Sequence, residues 1–582
     1  MKKLIKFKPE YLLIITFLLA FTASFFQLNP AIDTGRELYI PFRMINGEVL
    51  YRDIVNIYGP LAYQLNALLY LIFGATLTPL RIAGIFNSTL IIWIFMLICG
   101  EIFPLKNQQE NTTKSEFTGE KGYWQLAVIP LITGVCSLGT FNYTLPYSFS
   151  MTYGLTAFLA SVLFFIKFAQ NDEPKFAYLA CLFAGCAIAC KYDFFLYAIF
   201  LALYIWVNKK ISTINVLASF ACFAIIPAIS FGILFMQGMK FFDLQETFAL
   251  VNAISHTHSL KYFYSNFTGA CPSISILSFG IVKTLLLIAI GAIVTFAKTM
   301  CKSDKFLMIL VGFFGFTGLI YVGFSGYSLI AIINALIFCI FLKKIYTNKP
   351  LYIFMCASIL FSFKTFFAVN MDVYGTYTAP LILLSIGAFL YNADYCSKKE
   401  LKTAVNTFFS MLLAGLLILC GIKSIMTIIP KSQGFLQVTT TNTNNSGNKS
   451  TNGVFAYPQV ANTLNTAIAY IEKNTKETDK IVVVPETMYI NFVTGRPADN
   501  IFDSLTPMYF ETFGEEFVIN HFSQTKPEYF ILNNRDTYDY GKRFICDDYG
   551  KQFCQFVKEN YKNTETFGEG KYVMQLYKRN DL

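Results

Sequence analysis

Between the first apolar run of the chain and the second lies a stretch of about fifty residues, 29–79, in which four acids and three arginines stand among aromatic residues. It reads Asp33-Thr-Gly-Arg-Glu37, then Pro41-Phe-Arg43, then Asn46-Gly-Glu-Val-Leu-Tyr-Arg-Asp53, and closes on Tyr58-Gly-Pro60. Loops that only connect apolar segments are short, so one this rich in charge has work of its own. Asp33 falls just past the end of the first apolar run, where a partly desolvated carboxylate can act as a general base. Arg36 and Arg43 carry the planar fork that grips phosphate oxygens, and Arg52 and Tyr58 extend that binding set. If residues 33–37 are helical, Asp33 and Glu37 share a face and reach one pocket. Asp53 is a further candidate, as second acid or as metal ligand. The competing reading is that these charges pair with one another to hold the loop, and for Glu48 that is the better account.

Other candidates are scattered through the apolar sequence. Lys191, in Cys190-Lys-Tyr-Asp193, and Lys364 interrupt long apolar runs, and ionisable groups at such depth are costly enough to mark a site. Together with Arg36 they suit the phosphate of a lipid carrier, although Lys191 can also pair with Asp193 or snorkel to the interface. His256 and His258 lie in the segment 252–261. His256 is a candidate substrate contact, and a metal shared by the pair requires extended backbone. Tyr147, Tyr374 and Tyr377 fall at the ends of apolar runs and can line a sugar pocket, with an interfacial tyrosine belt as the ordinary alternative.

These residues sit in a chain of 582 amino acids that is 55% hydrophobic and only 14% charged, with a mean hydropathy of +0.49. Soluble domains carry about a quarter charged residues, so the composition excludes an ordinary cytosolic enzyme and specifies a polytopic α-helical membrane protein. Runs long enough to cross the hydrocarbon core fall near 11–28, 80–103, 124–141, 149–167, 176–190, 192–207, 213–236, 273–297, 306–323, 326–342, 351–370, 377–393 and 404–429, about thirteen in all, with 176–207 open to being one long helix. Lysines crowd alternate loops: Lys2, Lys3, Lys6 and Lys8, later Lys209 and Lys210, Lys343 and Lys344, Lys398 and Lys399. The positive-inside rule makes that side cytoplasmic. The first charged loop and the tail then face outward from a cytoplasmic (inner) membrane.

The sequence divides into a membrane domain over 1–429, a Thr/Asn/Ser-rich linker over 430–453, and an extracytoplasmic α/β domain over 454–582. After Pro430 there are 16 basic and 18 acidic residues, against 30 and 18 before it, so the basic excess belongs to the membrane domain. In the tail a helical pattern over Val460–Asn474 leads to strands near 481–485, 529–532 and 572–577. Glu486, Arg496 and Asp503 lie near those strand ends and read as structural. Most of the 14 cysteines lie in apolar runs as small hydrophobes, while Cys546 and Cys554 have the spacing for a bridge. There is no Walker loop, no Gly-rich dinucleotide fingerprint and no Cys/His zinc spacing. The tail's mixed charges give no footprint for nucleic acid.

The loop motif Asp33–Glu37, Gly47–Ile54 and Tyr58–Pro60, with about thirteen spans and a soluble tail, resembles the GT-C superfamily of integral-membrane glycosyltransferases. Within it the resemblance is to the bacterial family-39 type, related to protein O-mannosyltransferases and lipid A aminoarabinose transferases. It implies an inverting transferase that takes a hexose or pentose from a polyprenyl-phosphate donor to a lipid, glycan or protein acceptor, with Asp33 in the role of the family's loop-one aspartate. Many relatives have adjacent Asp-Glu there; in this chain Asp33 and Glu37 are separated. Some members need a divalent cation, Mg or Mn, and others do not, so the resemblance leaves the metal open. Two other readings fit the composition: a flippase for lipid-linked sugar, and a non-catalytic envelope assembly subunit.

Overall fold

The computed structural model describes residues 9–24, 32–102, 142–208, 210–244, 289, 327–363, 371–392, 436–438, 454–498, 500–537 and 542–582. The expected spans near 124–141, 306–323 and 404–429 lie outside the described residues, as do that near 273–297 apart from residue 289, Lys364, His256, His258 and the side chain of Tyr374.

Apolar sequence becomes helix wherever the described chain has no punctuation, and Pro, Gly and Asp set the ends. The first run forms α1 (Pro9–Ser24), and the charged loop then opens with α2 (Asp33–Ile45). Pro60 starts α3 (Pro60–Phe73) and Gly74 ends it; this second helix inside the loop was not anticipated from the sequence. Next come α4 (Leu77–Ile102) and α5 (Phe149–Asn171). Asp172 takes the left-handed conformation after α5, and Pro174 opens α6 (Pro174–Cys190), so two residues reverse the chain into a helical hairpin. The ambiguous 176–207 run proves to be two helices, α6 and α7 (Phe195–Val207), joined by a single 3-10 turn at Tyr192–Phe194. After them come α8 (Thr213–Met236), α9 (Tyr327–Thr347), α10 (Lys349–Phe361) and α11 (Met371–Asn392). The run expected over 351–370 ends as helix at Phe361.

The helices pack around aromatic side chains. Phe158 on α5 lies with its ring centroid 5.3 Å from Phe194, 4.8 Å from Tyr197 and 5.1 Å from Phe361, so three separate elements converge on one ring. Helices α4, α5 and α8 are long and apolar enough to cross a membrane by length and composition. Along α8, Ile214, Leu217, Ile225, Ile229 and Met236 are all exposed. A continuous apolar face of that width calls for lipid rather than water.

The tail builds an α/β unit. Leu436–Gln437 (β1) pairs antiparallel with Phe455–Ala456 (β2), which pins the described part of the linker to the domain. Helix α12 (Pro458–Asn474) buries Ala461, Leu464, Ala467, Ile468 and Ile471 at helical spacing. Strand β3 (Ile481–Val484) is buried at every position, as a strand covered on both faces must be. Then follow α13 (Tyr489–Thr494), α14 (Pro507–Phe513), α15 (Glu515–Thr525), β4 (Tyr529–Asn533), α16 (Lys551–Asn560), β5 (Tyr561–Phe567) and β6 (Met574–Arg579). The sheet order is β3-β4-β6-β5, with β3 and β4 parallel and the other pairs antiparallel. The three strands expected from sequence are β3, β4 and β6. Strand β5 was missed because Tyr-Lys-Asn-Thr-Glu-Thr-Phe is polar along most of its length. Cys546 and Cys554 are joined by a disulfide, with their Cα atoms 5.5 Å apart.

The α/β unit of the tail sits directly on the charged loop. Gly35 of α2 meets the backbone of Met488 and Tyr489 so closely that no Cβ fits. The Tyr39 hydroxyl accepts from the Ala498 amide at 2.9 Å, and Val55 N donates to Ile501 O at 2.6 Å. On the other side Gly59 donates to Cys190 O at 3.1 Å, and a Cβ there would overlap the Ala189 carbonyl. Gly59→Ala must therefore push the loop off α6, and overpacking of this kind costs about 1–3 kcal/mol. We expect a lowered melting temperature of the detergent-solubilised protein, measured by intrinsic fluorescence.

Candidate active site

Helix α2 is the element that places the acids. Asp33 stands in its first turn, where the helix dipole favours a carboxylate. Arg36 and Glu37 follow one turn on. Pro41 lies inside the helix and has no N–H to donate, so the carbonyl of Glu37 loses its ordinary intrahelical partner. Arg36 Nη2 lies 3.0 Å from Asp33 Oδ1, and its Nε lies 3.5 Å from Glu37 Oε1. The same Nη2 donates to the Tyr147 carbonyl at 3.0 Å, tying α2 to the segment leading into α5.

Glu37 is almost fully buried. Its Oε2 accepts from the Phe149 amide at 2.8 Å and its Oε1 from the Tyr63 hydroxyl at 3.0 Å. Ser148, the residue preceding α5, makes no capping bond with its side chain, so Glu37 supplies from another helix the acceptor that a helix N-terminus needs. Burial raises the Glu37 carboxyl above its ordinary value, against the lowering influence of Arg36, the Phe149 amide and Tyr63.

Lys191 arrives from the other side. It ends α6 in an extended conformation, which turns its side chain out of the helix line. Its Nζ is 3.4 Å from Asp193 Oδ2 and bonded to the Tyr147 hydroxyl. It also stands 4.9 Å from the centroid of the Tyr58 ring and 5.0 Å from that of Tyr147. Arg36 Cζ is 5.3 Å from the same Tyr58 ring. Two cations thus approach one aromatic ring, and each has a carboxylate partner that offsets their mutual repulsion. Tyr377 backs this arrangement, with its ring 5.9 Å from Tyr147 and 5.7 Å from Tyr143. Asp33, Arg36, Glu37, Tyr58, Tyr147, Lys191 and Tyr377, far apart in sequence, are one neighbourhood.

The remaining loop charges form a second network. Arg43 Nε bonds Glu48 Oε2 at 2.7 Å, and its Nη2 donates to Asp53 O at 3.1 Å. Asp53 Oδ2 accepts from Val49 N at 2.7 Å and from Arg52 Nη2 at 2.7 Å. Burial works against ionisation of Asp53, yet the Arg52 and Val49 bonds hold its carboxyl below the ordinary value. Arg52 reaches on to Gln237 O at 3.1 Å. These bonds close the turn 46–55 and leave Asp53 occupied within it.

In the tail Arg496 donates to Thr494 O at 2.7 Å and Thr475 O at 2.9 Å, closing the end of α12, and Glu486 pairs with Arg535. Both thus have their partners within the tail. Tyr63 and the Phe149 amide were not legible in advance, because nothing local marks a tyrosine or an amide that binds a carboxylate from another helix. Among the described residues no three His, Cys, Asp or Glu side chains are grouped so as to hold a metal ion.

No protein-family model and no curated protein matches the chain. Among solved structures, ArnT from Cupriavidus metallidurans bound to undecaprenyl phosphate aligns over 97% of both chains at 10% identity and a TM-score of 0.42. The same protein in the apo state aligns over 97% of both chains at 10% identity and a TM-score of 0.44. A likeness at this level assigns no activity to the present chain.

Because Glu37 is raised by burial, the folded state holds its proton up to a higher pH than the unfolded chain does. Its contribution is fully present below the ordinary glutamate value and is lost as pH rises through the raised one. Glu37→Gln removes that slope and also the charge-assisted bond to the Phe149 amide. We expect a variant destabilised by about 1–3 kcal/mol whose melting temperature varies less with pH above 4.5 than wild type. Thermal scans across a pH series measure both.

Proposed function

We propose that this chain is an inverting glycosyltransferase of the GT-C type, moving a hexose or pentose from a polyprenyl-phosphate carrier to an acceptor on the outer face of the cytoplasmic membrane. The observation that carries the reading is the convergence of Arg36 and Lys191 on the Tyr58 ring, with the Asp33 carboxylate 3.0 Å from Arg36. Two cations beside a carboxylate suit a phosphate leaving group and the base that acts opposite it. Apolar helices around them suit a lipid-linked donor. The Cys546–Cys554 disulfide fits a tail in an oxidising, extracytoplasmic compartment.

In this mechanism the acceptor's oxygen or nitrogen forms a bond to the anomeric carbon as the bond from that carbon to the phosphate oxygen breaks. The bonding pair leaves with the phosphate, and the acceptor's proton passes to Asp33. As the donor phosphate enters, Arg36 turns from Asp33 to the phosphate oxygens, which frees Asp33 to take the proton. Lys191 neutralises the second developing charge in a water-poor setting, where fixed charges act most strongly. Glu37 positions rather than reacts, since both its oxygens are engaged, and Tyr147 and Tyr377 form the wall beside the sugar. Arg43, Arg52 and Asp53 keep the loop closed beneath the donor. Lys364, His256 and Tyr374 remain candidate substrate contacts, and a divalent cation remains a candidate cofactor. The acceptor class is a lipid, glycan or protein presenting a hydroxyl or amine.

The test is sugar transfer or hydrolysis in proteoliposomes supplied with short-chain polyprenyl-phosphate sugars. Asp33→Asn should lower kcat about a hundred- to ten-thousandfold with little change in melting temperature. Lys191→Met should cost about a hundredfold. Equal turnover by wild type and Asp33→Asn rejects the assignment of Asp33 as base.

A further inference from the structure

The residues just ahead of α5, from Asn142 to Ser148, are all buried, yet they form neither helix nor strand. Irregular backbone among membrane helices is tolerated only where it is enclosed by protein or lines a cavity, with its polar groups satisfied. Asn142 shapes the start of the segment. Its Oδ1 accepts from the amides of Thr144 at 2.9 Å and Leu145 at 2.6 Å, the local turn that asparagine side chains favour. Helix α11 holds the same end, where the Tyr377 hydroxyl donates to the Asn142 carbonyl at 3.3 Å and its ring stacks on Tyr143. Helix α4 holds the middle. A Cβ on Gly84 would overlap the Thr144 carbonyl, and the Ser88 and Thr144 hydroxyls lie 3.3 Å apart. What this strap presents is Tyr147. The Tyr147 carbonyl accepts from Arg36 Nη2 at 3.0 Å. Its hydroxyl accepts from Lys191 Nζ, since an ammonium can only donate. One tyrosine therefore bonds both cations of the candidate site, through two atoms whose separation its backbone and rigid ring limit.

We propose that the strap 142–148 sets the spacing of the two cations, and that Asn142 is its positioning residue, acting through Tyr147 on Arg36 and Lys191. The inference rests on the transferase reading and deepens it, because a phosphate gripped by two cations is bound well only when their spacing matches its oxygens. Arg36 is already steadied by Asp33 and Glu37 on its own helix. Lys191 is the looser of the two, a point charge on a flexible four-carbon stem. Its Nζ is bonded to the Tyr147 hydroxyl and lies 3.4 Å from Asp193 Oδ2. Without the hydroxyl, Lys191 is drawn onto Asp193, and a phosphate must break a closer ion pair to engage it. Asn142 acts by folding the turn that leads to Tyr147, so its loss loosens both bonds at once.

The experiment measures binding of a short-chain polyprenyl phosphate to the detergent-solubilised full chain by calorimetry. Tyr147→Phe removes the hydroxyl and keeps the carbonyl, and should weaken binding about three- to tenfold, the loss of one hydrogen bond. The same substitution should cause no further loss in a Lys191→Met protein and its full loss in an Arg36→Met protein. Asn142→Ala should weaken binding about ten- to thirtyfold, because both bonds loosen. Asn142→Asp, which keeps the accepting oxygen, should bind as wild type does. A role confined to folding predicts instead that Tyr147→Phe causes the same loss in all three backgrounds. That result, or unchanged affinity in Tyr147→Phe, overturns the coupling, and wild-type affinity in Asn142→Ala overturns the assignment of Asn142. Each of these leaves the transferase reading standing. Absence of binding by wild type overturns both.

Discussion

The carboxylate of Glu37 cannot sit where it does unless its oxygens are satisfied, and satisfying them sets the relative placement of three helices. One oxygen takes the Tyr63 hydroxyl from α3 and the other the buried Phe149 amide at the start of α5. A charged group buried without partners would cost several kcal/mol, so neither helix can slide along α2 without that penalty. Asp33 lies one turn earlier on α2 and Arg36 directly precedes Glu37, and both inherit its orientation. The Tyr147 carbonyl, two residues ahead of Phe149, then falls within reach of Arg36. The residues of the candidate site are thus held in place through the bonds of one buried acid.

The two halves of the protein meet on that same helix. Toward the bundle, α2 presents Arg36 and Glu37; toward the α/β unit of the tail it presents Gly35, Leu38, Tyr39 and Phe42, which pack with Tyr489 and Phe492. A helix with polar business on one side and apolar business on the other is amphipathic in an unusual sense, since both faces are buried in the same chain. Its glycine is explained by the close approach of the Tyr489 backbone. Lys191 is a second junction, reachable only because α6 ends one residue before it and the chain turns extended.

Much of this could be read from the sequence, and the parts that could not have physical reasons. The described apolar helices, α12 and strands β3, β4 and β6 follow from periodicity and punctuation, which are local. The Asp33, Arg36, Tyr58, Tyr147, Lys191 and Tyr377 neighbourhood was gathered on residue type, since charges beside apolar runs are rare enough to stand out. What periodicity could not supply was partnership. The bonds of Glu37 to Tyr63 and the Phe149 amide, and those of Asp53 to Arg52 and Val49, join residues that no local pattern marks as partners. Helix α3 was hidden because its apolar residues resembled the start of the following span.

The separation of partners along the chain bears on how the molecule comes into being. Tyr39 makes its bond to Arg496 across 457 positions, and the contacts of Gly35 with Tyr489 are nearly as remote. During synthesis α2 exists long before the surface that will cover it, so Leu38, Tyr39 and Phe42 wait uncovered while the remaining helices are made. Contacts of such range form last. A chain cut short before its tail would hold every cation of the candidate site and still present the wrong side of α2 to water. Damage at one end of the polypeptide is therefore felt at the other, and quality control exerted on the tail would in effect inspect residue 33.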